Sequence, residues 1–74
     1  MKSLKLITIF NSPDDFPGEF IAREFHILKE GIKPGEIVMR GKNLFLIRKH
    51  LESLNLFPVA RQDNDLPSVV ESWI

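Results

Sequence analysis

No cysteine occurs in the chain, so disulfide staples are excluded and the thiolate pairs of zinc ribbons and fingers are missing. The absence fits a reducing compartment, and the cytoplasm is the expected location. Neither charge is in excess: ten basic residues balance ten acidic ones. That removes the broad electrostatic footprint of a nucleic-acid or membrane binder, and zero net charge favours self-association. Long apolar runs are also lacking. The stretch "LKLITIF" at residues 4 to 10 is interrupted by Lys5 and is too short for a secretory h-region or a membrane span. No internal repeat or low-complexity segment is present.

What is there fits one small domain over residues 1 to 74, with 43% apolar residues to build a core. A core of this size rarely supplies more than ~3–5 kcal/mol without a staple. Residues 4 to 10 read as a strand, ending at the turn formers "NSPDD". Both of its faces carry apolar side chains, which places it inside a sheet rather than at an edge. The stretch from Asp15 to Gly31 supports two readings. As a helix, Asp15 would cap it and Ile21, Phe25, Leu28 and Ile32 would share a face. As a strand over 20 to 28, Ile21, Arg23, Phe25 and Ile27 lie on one side, with Phe20, Ala22, Glu24, His26 and Leu28 on the other. "EGIKPGEIV" carries two glycines and a proline and is expected to be a loop, with "EIVM" extended beside the sheet.

Residues 43 to 54, "NLFLIRKHLESL", form the best helix. Asn43 caps it, Leu44, Ile47, Leu51 and Leu54 form a buried stripe, and Asn55 is a left-handed stop ahead of Pro58. "LFPVAR" is irregular or a short strand, "QDNDLP" a turn, and residues 68 to 74 a closing strand. In that strand Val69, Glu71 and Trp73 alternate with Val70, Ser72 and Ile74. The expected class is therefore α+β: a mainly antiparallel sheet of three or four strands, in the order β-β-(β)-α-β, with one amphipathic helix on one face.

Several of these residues carry a resemblance. Asn11, Pro13, Phe16, Pro17, Phe20, Arg23 and Phe25, with Arg61, Asp65, Pro67, Val70, Glu71 and Trp73, resemble a group of small bacterial proteins of unknown function. Those proteins share an Asn/Asp-x-Pro turn after the first strand and a closing D-x-P-x-V-V-E-x-W pattern. The resemblance implies an extended segment after "DFP", which favours the strand reading of residues 20 to 28. It brings no activity with it. Glu24 stands where that group often has a second arginine, so a paired-arginine anion site does not transfer.

The chemistry-bearing residues form no catalytic signature. His26 and His50 lack the HxxxH or HExxH spacing of a metal site, and no serine sits in a G-x-S-x-G elbow. Asp14 with Asp15, and Asp63 with Asp65, lie in proline-flanked turns where aspartate is favoured for local bonding. No cofactor, metal or enzymatic activity is expected. Two surfaces stand out instead. A single helix covers one side of a small sheet, which leaves Ile21, Arg23, Phe25, Val69, Glu71 and Trp73 as a candidate interaction face, with Arg23 and Glu71 paired across it. On the other reading, loops 11 to 19 and 29 to 42 fold over that side. The second surface is Arg40, Lys42, Arg48 and Lys49 around the helix N-terminus, a candidate anion or nucleic-acid patch. The expected function is a non-enzymatic protein-interaction or regulatory module, self-associating or binding a protein partner through a sheet face or edge. Weak nucleic-acid binding is the alternative, and no membrane is involved.

Overall fold

The structure, a computed structural model, describes residues 4–61 and 67–74. Its elements run β1 (Leu4–Asn11), β2 (Phe20–Leu28), β3 (Gly31–Gly41), α1 (Leu44–Ser53), β4 (Pro58–Val59) and β5 (Val69–Trp73). The five strands make one sheet in the order β3-β2-β1-β5-β4, with every pairing antiparallel. The α+β class is as expected, but the described residues form five strands rather than three or four. The element order gains a short β4 after the helix.

β1 takes the central position, and the reason lies in its two-sided apolar pattern. Ile7 and Ile9 point to the helix side, where they pack with Ala22, Ile47, Leu51 and Trp73. Thr8 and Phe10 point the other way, and the buried Thr8 hydroxyl bonds to the Ser72 hydroxyl at 3.1 Å. β2 is a strand over the span read from the sequence, paired residue for residue with β1 from Leu4↔Ile27 to Asn11↔Phe20. The connecting loop is held by its own turn chemistry. Ser12 adopts φ 51° and Gly18 φ 81°, the left-handed conformation that Gly tolerates at no steric cost. The Gly18 amide donates to the Ser12 hydroxyl at 2.9 Å, and the Phe16 amide to the Pro13 carbonyl at 2.9 Å.

The segment expected as a loop is instead the eleven-residue edge strand β3. An edge position explains how it accommodates "KPG". Pro34 has no N–H to offer a ladder but needs none on the open side. Two register shifts against β2, between Ala22 and Arg23 and between Arg23 and Phe25, absorb the extra residues. Gly35 fits there because a Cβ would stand 3.0 Å from His26 Nε2 and 3.1 Å from Glu24 Cβ.

The Asn43 side chain caps α1 by accepting from the amides of Phe45 and Leu46 at 3.0 and 3.4 Å. Ile47 and Leu51 are fully buried and Leu44 packs at the core's margin. Leu54 leaves the expected stripe: helical geometry ends at Ser53, and the side chain is 49% exposed. Asn55, at φ 62°, turns the chain away as expected. Phe57 and Ile74 then exchange backbone hydrogen bonds of 2.8 and 3.0 Å, securing β4 to β5.

Candidate functional site

The two faces of the sheet divide the predicted interaction residues. Ile21, Arg23 and Phe25 lie opposite Phe10, Thr8 and Leu6 of β1, on the side away from the helix. Trp73 and Glu71 lie opposite Ile7 and Ile9, on the helix side. A bulge at Val70 shifts the register, so Val69 sits opposite Phe10. The six residues therefore do not form one surface, and the expected Arg23–Glu71 pair does not form. Glu71 meets the helix instead. Its carboxylate accepts from Arg48 Nη2 at 2.8 Å and Nε at 3.2 Å, and from the Trp73 indole N–H at 2.7 Å. Trp73 itself is 2% exposed and belongs to the core. Strand alternation sorts residues within a strand, but it does not say which side the helix will cover.

On the opposite face a groove of about 330 Å³, open to solvent, is lined by Phe10, Ile21, Arg23 and Phe25 from the sheet, Pro13, Asp15 and Phe16 from the β1–β2 loop, and Pro34 from β3. The loop bends inward because its Pro13–Phe16 turn closes and because Phe16 is held from outside. The Arg40 guanidinium lies 4.9 Å from the Phe16 ring centroid and 3.9 Å from Glu19. Phe10 and Phe25 meet on the floor at 6.1 Å between centroids. The face is thus partly covered by the 12–19 loop, while residues 31–41 form its flanking strand rather than a cover.

Arg23 is the polar feature of this apolar groove. One Nη1 hydrogen bond, 3.2 Å to the Gly35 carbonyl, holds the part-buried guanidinium. Among the described residues no carboxylate lies within ion-pair distance of it and no second acceptor takes its remaining donors. Alternation places Arg23 beside Phe25; Phe10 joins them through the β1–β2 register, whereas Pro13 and Phe16 depend on how the loop folds back.

Three of the four residues of the basic patch are compensated internally, while Lys42 is exposed with no carboxylate within ion-pair distance among the described residues. Arg40 has Glu19, Arg48 has Glu71, and Lys49 has Glu52 at 3.7 Å with the Phe45 ring beneath it. Two of the helix N-terminal amides that would attract an anion, those of Phe45 and Leu46, are taken by the Asn43 side chain. Glu24 likewise has two neighbours, Lys5 at 3.6 Å and His26 at 3.4 Å. Asp63 and Asp65, with most of the "QDNDLP" turn, lie outside the described residues. Among the described residues no cluster of three or more potential ligands could hold a metal, and no helix is long and apolar enough to cross a membrane. Compared with protein-family models, curated proteins and solved structures, the chain matches none.

Proposed function

We propose that the protein is a non-enzymatic interaction module that receives part of another polypeptide on the helix-free face of its sheet. The observation that carries this reading is Arg23, an arginine without a carboxylate partner among the described residues, set between phenylalanines in an open groove. A cation stripped of part of its water in such a setting gains most from an incoming anion. The apolar wall supplies contact area, and the surrounding polar residues form the rim.

The test compares capture of native-cell proteins by the wild type with capture by Arg23→Glu and Phe25→Ser variants that retain their fold. Capture lost in both variants supports the reading; capture indifferent to both counts against it. A second copy of the chain is one partner of this type. Light scattering during size-exclusion chromatography decides that part, since a strict monomer at high concentration removes self-association. The nucleic-acid alternative has less support, because Arg40, Arg48 and Lys49 are already paired. Salt-sensitive binding of short DNA or RNA would revive it.

A further inference from the structure

We infer that the groove is built for the C-terminal residue of a partner polypeptide, with an apolar or aromatic side chain. The inference rests on the reading of this face as an interaction surface and adds what the surface recognises. Three features of the groove converge on a chain end. Its one lining cation, Arg23, has no carboxylate partner among the described residues and offers planar paired donors that match a carboxylate. The walls beside it are apolar: Phe10, Ile21, Phe25 and Pro34. In a C-terminal residue the carboxylate and the side chain leave the same Cα, so one short site can receive both. An internal glutamate or aspartate would instead require the backbone to continue out of the groove in both directions.

Asp15 supplies the third feature. This exposed residue of the β1–β2 loop also lines the groove, and its carboxylate has no cation within ion-pair distance among the described residues. It can accept the N–H of the incoming chain's last peptide unit while Arg23 binds the carboxylate. Charge alternation of this kind fits a chain end better than a simple anion, which Asp15 would repel. The dimensions agree as well. At about 330 Å³ the groove is at the small end for ligand sites, enough for a terminal residue. Its open side lets the rest of the partner run out into solvent, whereas a metabolite bound without a partner chain is usually mostly enclosed.

The test uses N-acetyl-L-phenylalanine as a chain-end probe, N-acetyl-L-phenylalaninamide as its uncharged counterpart, and L-phenylalanine as the free amino acid. Binding is read by two-dimensional 1H–15N NMR on the full chain, including the Arg23 side-chain Nε–H. The acetylated acid is expected to give saturable shifts at Arg23, Ile21 and Phe25 with a Kd of the order of millimolar, as suits a fragment this small. The amide should bind roughly tenfold more weakly. Arg23→Gln should keep the dispersed spectrum of the folded chain and lose the preference for the acid. Equal binding of acid and amide in the groove overturns the carboxylate assignment but leaves the face a recognition surface. Tighter binding of L-phenylalanine overturns the chain-end assignment in favour of a free amino acid, and an Arg23→Gln variant that still prefers the acid overturns Arg23 as the carboxylate's partner. If no probe shifts the groove resonances, the inference fails, while the capture experiment still judges the broader reading separately.

Discussion

Replacing Glu71 tests whether the contact between helix and closing strand is held by charge or by the need to satisfy a buried donor. The carboxylate serves two groups in different surroundings. Arg48 is 44% exposed at its side chain, so the ion pair is screened by solvent and is expected to contribute only ~0.2–1 kcal/mol. The indole of Trp73 is 2% exposed, and its N–H has Glu71 as its acceptor at 2.7 Å. Stranding that donor costs ~1–3 kcal/mol. Glu71→Ala removes both and should destabilise by about 1–4 kcal/mol, which corresponds to a Tm lower by roughly 5–30 °C in a domain of this length. Glu71→Gln keeps an oxygen for the indole and should cost only about 1 kcal/mol. Arg48→Met should cost no more than that. Urea unfolding followed by far-ultraviolet circular dichroism gives all three values. In a Trp73→Phe background, which lacks the donor, Glu71→Ala should cost only the ion-pair share, ~0.2–1 kcal/mol. If Glu71→Ala and Arg48→Met are equally destabilising, or if the Trp73→Phe background leaves the Glu71→Ala cost unchanged, the buried-donor argument is wrong.

Truncation after Ser68 removes β5 from between β1 and β4, taking Trp73 out of the core; cooperative melting should disappear, and a retained transition would contradict that role. Gly35→Ala should destabilise by ~1–3 kcal/mol through overpacking, and His26→Ala should relieve much of it, because the added Cβ would meet the His26 ring at 3.0 Å. An equal Gly35→Ala penalty with and without the imidazole would point to Glu24 Cβ, at 3.1 Å, instead. Asn43→Ala removes the acceptor for the amides of Phe45 and Leu46 and should cost ~0.5–2 kcal/mol in urea unfolding.

Much of the architecture is legible in local pattern. β1 declared a central place through apolar residues on both faces, and α1 declared its ends through Asn43 and Asn55. Residues 20 to 28 were ambiguous between helix and strand because apolar residues satisfied both spacings; their pairing with β1 along the full length decides for strand. β3 was hidden by Pro34 and Gly35, which read as loop formers until the strand is known to lie at an edge. Alternation puts Glu71 and Trp73 on one face, but that face is not the one Arg23 occupies, since the phase between two strands depends on register. Val69 escaped through the bulge at Val70. In the groove Arg23 and Phe25 were visible as neighbours, whereas Phe16 arrives from a loop whose path is set by turn hydrogen bonds and by Arg40.

The position of Trp73 has a spectroscopic consequence. The chain has no tyrosine and no other tryptophan, so its near-ultraviolet absorbance above the phenylalanine bands and its long-wavelength emission come from one indole. That indole lies in the core on the helix side, hydrogen-bonded to Glu71, with the sheet between it and the groove. Its emission should therefore follow unfolding closely and change little when the groove is filled. One intrinsic fluorophore thus separates loss of fold from loss of binding in the same sample.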